Sequence, residues 1–337
     1  MFLSKPFDTH VVGIGNAIVD VLAKCDDAFL ERHNLVKGSM TLIDQETAAS
    51  LYGEMGPAIE VSGGSAANTI AGLAAFGGKA GFIGKVGDDA LGEIFGHDIR
   101  SLGVKFDTQP GQGTQQTARS FVLVTPDAQR TMNTFLGASQ ELGPDDVDEI
   151  AIKSSLITYL EGYLWDPEQA KAAFIKAMDI AKSADRAVAL TLSDSFCVDR
   201  YREEFLDLVE HRINILFANE EEIKSLYQAD TFEEAKRHVS SHVDIAVLTR
   251  SEKGSLILSE GKEVAVPAHP TEVVDTTGAG DLYAAGFLFG LTHGYSLENA
   301  GKIGAMAASE AISHLGARPV ADLKAFLSKI NESPLQA

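Results

Sequence analysis

The residues of this chain best suited to chemistry are a run of small residues that ends in a carboxylate. Gly278, Ala279 and Gly280 follow an extended Val-Val segment, and Asp281 opens a long apolar helix. Glycine lets another group approach the backbone closely, and unpaired amides at a helix N-terminus attract anions. A carboxylate beside a phosphoryl group in transfer is a candidate base for a hydroxyl. The alternative is a glycine-rich turn in which Asp281 only caps its helix.

Two further motifs carry polar groups that can hold ligands. Gly63 and Gly64 precede a predicted helix, and Asn68 in its first turn can donate and accept hydrogen bonds, as polyhydroxylated ligands require. Asn219 ends a predicted strand, and Glu222 lies three residues later, so the pair can hold hydrated Mg²⁺ through water. The alternatives are a plain loop before a helix and a solvated acidic first turn.

The elements that position these motifs alternate between strand and helix. Short, almost continuous apolar runs such as 187–193, 213–219 and 245–250 are typical of parallel strands covered on both faces. Helical patterns separate them, which predicts an α/β fold with a mostly parallel central sheet flanked by helices. Two regions, 16–45 and 105–138, break this order and predict a small β-rich lid inserted into one domain of 1–337. Residues 117–138 favour a hairpin around Pro126-Asp127.

Composition and charge exclude several classes of function. The 337 residues carry 28 basic and 48 acidic side chains, a net charge of −20, so general nucleic-acid or anionic-membrane binding is disfavoured. Two cysteines cannot form a disulfide scaffold, and no targeting segment is recognisable, so we expect a cytoplasmic protein.

Other nucleotide-binding and hydrolase motifs are incomplete. After Gly13 and Gly15, the third glycine of a dinucleotide fingerprint is replaced by Ile18. None of the Gly-Lys pairs is followed by the Ser or Thr of a P-loop, and no Gly-x-Ser-x-Gly is present.

Taken together, the motifs resemble those of the ribokinase (PfkB carbohydrate kinase) family over nearly the whole chain. Asp275-Thr276-Thr277-Gly278-Ala279-Gly280-Asp281 is similar to its C-terminal signature. Gly63-Gly64 and Asn68, with the glycines at 84, 87 and 92, resemble its N-terminal signature, and Asn219-x-x-Glu222 resembles its magnesium and phosphate motif. The resemblance implies a ribokinase-like fold and an ATP-dependent kinase.

The resemblance also implies roles for individual residues. Asp281 would accept the proton of the substrate hydroxyl, and the amides of 278–281 would stabilise the transferred phosphoryl group. Arg130 would approach that group from the lid. The sugar would be bound by Asp20, Asn16, Gly63, Gly64 and Asn68.

On the nucleotide side, the resemblance implies contacts from residues spread over the C-terminal half. These are Asn219, Thr249, Gly254, Gly278, Gly280 and Asn299. Glu222 would hold Mg²⁺ through water, and a monovalent cation such as K⁺ is expected near the loop before Asp275.

Within the family, the segment 15–20 and the segment 130–138 resemble adenosine kinases more than fructokinases. Leu136 and Tyr163 would then contact a base, and the acceptor would be the 5′-hydroxyl of a nucleoside. Met40 and Leu164 depart from the adenosine kinase pattern, so guanosine, inosine or a bare sugar stay open, as does a sugar kinase of ribokinase or fructokinase type. A non-catalytic sensor of nucleosides or sugars is the alternative from another class. A monomer or a homodimer is expected.

Overall fold

The computed structural model describes residues 6–113, 115–127 and 129–330. Its strands are β1 (Thr9–Ile14), β2 (Ile18–Lys24), β3 (Met40–Leu42), β4 (Ala58–Gly63), β5 (Ala80–Ile83), β6 (Ala118–Val124), β7 (Arg130–Phe135), β8 (Ser155–Glu161), β9 (Ala187–Thr191), β10 (Ile215–Asn219), β11 (Ile245–Thr249), β12 (Ser255–Ser259) and β13 (Lys262–Val266). Its α-helices are α1 (Asp27–Arg32), α2 (Gln45–Glu54), α3 (Ser65–Ala75), α4 (Ala90–Ser101), α5 (Glu149–Lys153), α6 (Glu168–Ser183), α7 (Ser195–His211), α8 (Glu220–Tyr227), α9 (Phe232–Val239), α10 (Ala279–Thr292) and α11 (Leu297–Ala311).

The larger sheet has eight strands in the order β13-β12-β11-β10-β9-β8-β1-β5. The six strands from β11 to β5 run parallel, and β12 and β13 continue the sheet as antiparallel edge strands. Since parallel strands need crossover helices, both faces of this sheet are covered. The predicted ribokinase-like α/β architecture is thereby confirmed.

Helices form one layer on each face of the larger sheet. The alternation of side chains along β10 sends Ile215 and Phe217 to one face and Leu216 and Ala218 to the other. The first face packs on α3, α4, α10 and α11, and the second on α5 to α9. The apolar runs seen in the sequence are therefore buried strands.

A second sheet, which we call the lid sheet, has five strands in the order β3-β7-β6-β2-β4. The predicted hairpin is present, with β6 antiparallel to β7 and Val124 opposite Arg130. One face of the lid sheet, which includes Val21 and Phe121, packs on α1 and α2. The lid sheet reaches Gly63, past the expected limit of 45, because β4 pairs with β2. By contrast, Lys105 and Gly111 bridge to the larger sheet and its following loop.

The start of α6 differs from what its sequence predicts. The pair Asp166-Pro167 favours Asp166 as the N-cap and Pro167 as the first helical residue, but Pro167 itself takes the N-cap position. The Asp166 carboxylate instead accepts hydrogen bonds from Tyr201 and Arg200 of α7. In the described part of the chain, no helix is both long enough and apolar enough to cross a membrane.

Candidate active site

Asp281 lies in the first turn of α10, between the two sheets. Its Oδ1 accepts a hydrogen bond from Ser65 Oγ at 2.7 Å, and its Oδ2 accepts one from Asn68 Nδ2 at 3.0 Å. Both donors belong to the first turn of α3, which follows Gly63 and Gly64. The structure thus joins the two glycine motifs of the sequence around one carboxylate.

The residues before Asp281, Gly278 to Gly280, form an open turn, and with Asp281 we call them the anion loop. Gly278 has the left-handed φ of 74° and packs so closely that an added Cβ would lie 2.6 Å from Ala317 Cβ. An added Cβ at Gly280 meets no atom within 4 Å. In the described chain, no hydrogen-bond acceptor faces the amides of Gly280 and Asp281, as expected at a helix start. The loop therefore offers donors and space to an anion.

Burial sets the acidity of Asp281. Removal from water raises its pKa to about 6, against the hydrogen bonds from Ser65 and Asn68 and the positive charge of Arg318, which all lower it. A carboxyl of this acidity is ionised at neutral pH and is still basic enough to accept a proton from a hydroxyl.

Asp20 faces the same space from β2 of the lid sheet. Burial raises its pKa to about 7, the charge of Arg318 lowers it, and the charge of Asp281 raises it. An added Cβ at Gly63 would lie 2.3 Å from Asp20 Oδ2, so only glycine leaves room for this carboxylate. Gly64 has a φ of +94°, and an added Cβ there would lie 2.2 Å from the Asn16 carbonyl oxygen. Both glycines are therefore required by close approach.

Asn16 is held by a residue that sequence reasoning missed. Glu161, at the end of β8, is fully buried. Its Oε1 accepts hydrogen bonds from Asn16 N at 2.7 Å and Asn16 Nδ2 at 2.6 Å, and its Oε2 accepts one from Ala66 N at 2.6 Å. Burial raises the pKa of Glu161 to about 7. This carboxylate ties the end of β1 to the start of α3.

Arg130 reaches from β7 to the segment before the anion loop. Its Nη1 lies 2.8 Å from Asp275 Oδ2 and 2.7 Å from Asp275 Oδ1. Asp275 also accepts hydrogen bonds from the amides of Thr277 and Gly316. The ion pair links the lid sheet to the anion loop and places the arginine close to it.

Asn219 and Glu222 form a reciprocal cap at the start of α8. Asn219 Oδ1 accepts from Glu222 N at 2.8 Å, and the Glu222 carboxylate accepts from Asn219 N at 2.9 Å. Burial, with the charges of Asp194 and Asp281, raises the pKa of Glu222 to about 7. Thr249 pairs in register with Asn219 on the next strand, so both residues lie at the carboxyl ends of the parallel strands.

The described residues can hold Mg²⁺ only together with oxygen atoms of a bound phosphate. Among the described residues, no group of three His, Cys, Asp or Glu side chains can hold a metal. Mg²⁺ commonly keeps water and takes one or two carboxylates together with phosphate oxygens. The single carboxylate of Glu222 agrees with that mode, in which phosphate supplies the other ligands.

Three further predicted residues lie in loops and turns beside the strands. Tyr163 follows β8 and contacts Ser193, and burial, with the charges of Asp194, Asp281 and Glu222, raises its pKa. Leu136 follows β7. Gly254 has a φ of +83° and turns the chain between β11 and β12.

Asn299 lies farther from the anion loop than the other predicted residues. Asn299 is in the first turn of α11, where the neighbouring Ala300 packs against Gly290 of α10. Gly290 is nine residues beyond Asp281, or about 14 Å at ~1.5 Å per residue. Because α11 returns antiparallel to α10, its last turn approaches the anion loop and its first turn lies farther away. The contact of Asn299 with the base of the nucleotide stays a prediction.

Arg318 is the second residue that sequence reasoning missed. It is partly buried after α11 and donates hydrogen bonds to Ser62 O and Ala67 O. Neither Arg318 nor Glu161 belongs to a glycine motif. The only signal was an arginine in an otherwise apolar C-terminal segment and a carboxylate that closes an apolar strand.

Comparison with known proteins agrees with this geometry. The family model of the pfkB family carbohydrate kinases matches residues 41–323. A probable sugar kinase from Rhizobium etli is 50% identical, with a TM-score of 0.90 over 96% of this chain and 98% of that one. The adenosine kinase from Sinorhizobium meliloti is 51% identical, with a TM-score of 0.89 over 95% and 99%. A 5-dehydro-2-deoxygluconokinase from Listeria monocytogenes is 30% identical over 79% of this chain and 86% of its own length. The chain belongs to the PfkB family of carbohydrate kinases.

Proposed function

We propose that this kinase transfers the γ-phosphoryl group of ATP to the 5′-hydroxyl of a ribose-bearing nucleoside, with adenosine as the first candidate. The observation that carries this proposal is the position of Asp281. Its carboxylate lies beside the open amides of the anion loop and is hydrogen-bonded to Ser65 and Asn68. Family membership itself implies ATP as donor, with Mg²⁺ as its usual companion.

In this proposal the chain's residues divide the chemistry of transfer. Asp281 accepts the proton of the acceptor hydroxyl as the new O–P bond forms and the bond to ADP breaks. The amides of Gly280 and Asp281 donate to the phosphoryl oxygens, where preorganised donors lower the barrier most. Arg130, held by Asp275, supplies positive charge next to the loop.

The ATP side would use the carboxyl ends of β10 and β11. Asn219, Thr249 and Gly254 border the nucleotide, and Glu222 holds Mg²⁺ through water. When bound, Mg²⁺ neutralises charge on the terminal phosphates. Ligands of open α/β sheets bind at this edge, which supports the assignment.

The acceptor side would use Asp20, Asn16, Gly63, Gly64 and Asn68 for the ribose. The face of the lid sheet that carries Asp20 also carries apolar side chains. Register places Met40 beside Met132, on the same face as Asp20. Met40 and Leu42 are 45% and 50% exposed.

A ribose alone would leave the apolar side chains Met40, Leu42 and Met132 uncovered. A purine would cover them, with Leu136 and Tyr163 as further contacts. The solved relative at 51% identity is named an adenosine kinase, which supports the nucleoside.

The second candidate is a sugar kinase. Curated relatives are named 5-dehydro-2-deoxygluconokinase, at 30% identity, and a solved relative is named a probable sugar kinase. A sugar would use the same polar residues and the same base. A non-catalytic sensor of nucleosides or sugars is the third candidate function, but it would give Asp281 no role as a base.

A coupled ADP-release screen over adenosine, guanosine, inosine, ribose and fructose tests the proposal. We expect the highest kcat/KM with a nucleoside. A higher value with a free sugar would favour the sugar kinase, and binding without ADP release would favour the sensor. Repeating the screen with KCl and with NaCl tests the predicted K⁺ near the loop before Asp275. A monomeric or homodimeric state and a cytoplasmic location stay predictions.

A further inference from the structure

The segment that follows α11, Gly316 to Arg318, contacts both the anion loop and the residues on either side of Gly63 and Gly64. Gly316 N donates to Asp275 Oδ2 at 3.0 Å. Ala317 packs against Gly278 of the anion loop. Arg318 extends to the end of β4 and the first turn of α3, more than 250 residues earlier in the chain. The segment therefore connects the anion loop to the residues that face the acceptor.

The guanidinium of Arg318 makes three hydrogen bonds to these two elements. Nε donates to Ser62 O at 2.9 Å, Nη1 donates to Ala67 O at 3.1 Å, and Nη2 donates to Ser62 Oγ at 3.2 Å. Ser62 directly precedes Gly63, the glycine against which the Asp20 carboxylate lies. Ala67 directly precedes Asn68, which binds Asp281.

We propose that Arg318 is a positioning residue: its guanidinium fixes the segment Ser62–Asn68 and places a positive charge opposite Asp20 and Asp281. The proposal rests on the proposed function for the roles of these two carboxylates. Arg318 touches neither the phosphoryl group nor the acceptor in this account. It acts through the residues that do.

The charges around Asp20 and Asp281 determine the direction in which loss of Arg318 shifts the pKa values of these two carboxyls. Arg318 lowers the pKa of Asp20 and of Asp281, whereas burial raises both. The other charged groups that face one or more members of this cluster are Arg130, Asp275, Asp98, Glu161 and Glu222. All but Arg130 are acidic, so loss of Arg318 leaves two carboxylates with one nearby cation. Both carboxyl pKa values then rise, and the acidic limb of the pH–rate profile moves to higher pH.

Two substitutions separate geometry from charge. Arg318→Met keeps the length but removes the charge and all donors. Arg318→Lys keeps the charge but cannot reproduce three donors in a fork. We expect Arg318→Met to raise the KM of the acceptor at least ~10-fold and to move the acidic limb of kcat/KM up by about one pH unit, with the KM of ATP within about twofold. Arg318→Lys should raise the acceptor KM but leave the acidic limb in place.

Arg186→Met is the matched control. Arg186 also donates to backbone carbonyls, those of Lys153 and Pro6. It directly precedes β9, however, and so lies at the amino ends of the parallel strands, away from the carboxyl ends that border the site. Its loss should leave both KM values and the acidic limb unchanged. Equal rises in the KM of ATP and of the acceptor in Arg318→Met, or an unmoved acidic limb, would overturn the proposal.

A measurement without turnover keeps this test separate from the proposed function. In protein labelled with ¹³C at aspartate carboxyls, NMR titration follows Asp20 and Asp281, which are assigned with Asp20→Asn and Asp281→Asn. Arg318→Met should move both midpoints upward, and Arg318→Lys should not. Unmoved midpoints contradict the inference about Arg318 even when the kinase is active. Shifted midpoints in a protein that releases no ADP support the inference and refute the proposed function.

Discussion

Replacement of Gly280 by alanine should change stability and catalysis in opposite directions. Gly280 is the second residue of α10, and an added Cβ meets no atom within 4 Å. Alanine is favoured over glycine in a helix by ~0.4–1 kcal/mol, largely because it restricts the unfolded chain. With an unfolding entropy of about 2.1 cal/mol/K per residue, a chain of 337 residues should gain about 1 °C in Tm.

Catalysis should suffer because the open space is where the phosphoryl group is proposed to bind. A methyl group there would displace the phosphoryl by about 1 Å, a shift that can lower the rate ~10²-fold. The assay is kcat by ADP release beside Tm by calorimetry. Gly53→Ala is the control, since Gly53 is also a helical glycine with nothing within 4 Å of an added Cβ, but in α2 of the lid. It should gain the same stability at full activity. A Gly280→Ala enzyme with normal kcat would refute the placement of the phosphoryl group.

Four further predictions concern the charged groups. Asp20→Ala should weaken acceptor binding by about 1–3 kcal/mol in calorimetric titration, and unchanged affinity would remove Asp20 from the site. The kcat/KM should fall below about pH 6 as Asp281 of the free enzyme is protonated, and a profile flat through pH 6 would argue against it as base. The folded pKa of Asp281 exceeds the ordinary 3.8, so its contribution to stability falls as pH rises between these values, and Asp281→Asn should raise Tm at pH 8 but not at pH 4. Arg130→Met should lower the unfolding free energy by ~3–5 kcal/mol, because it leaves the buried Asp275 without its cation; adding Asp275→Asn should restore part of the stability measured by urea unfolding, and no recovery would contradict the ion-pair account.

Local patterns were enough to predict the main architecture. Apolar runs such as 213–219 and 245–250 become β10 and β11, since strands buried on both faces must be apolar throughout. The glycine motifs also marked real close approaches, at Gly63 against Asp20 and at Gly278 against Ala317. Such positions can be predicted from the sequence because only glycine has no Cβ to clash with the neighbouring group.

Polar contacts between residues far apart in the sequence could not be predicted in the same way. Glu161 binds Asn16 across 145 residues, and Arg318 binds Ser62 across 256. Neither contact depends on the spacing of nearby residues, so no local sequence pattern predicts it. The distance of Asn299 from the anion loop could not be predicted for a related reason: the direction in which α11 packs on α10 decides which end of the helix lies near the loop, and periodicity does not contain that direction.

The most direct test of the account is the Asp281→Asn enzyme under single-turnover conditions, with acceptor affinity measured on the same sample. The account predicts that the amide keeps hydrogen bonds to Ser65 and Asn68, so that the acceptor still binds, while phosphoryl transfer slows more than ~10²-fold, as expected for loss of a general base. Phosphoryl transfer at close to the wild-type rate would contradict the assignment of Asp281 as the base.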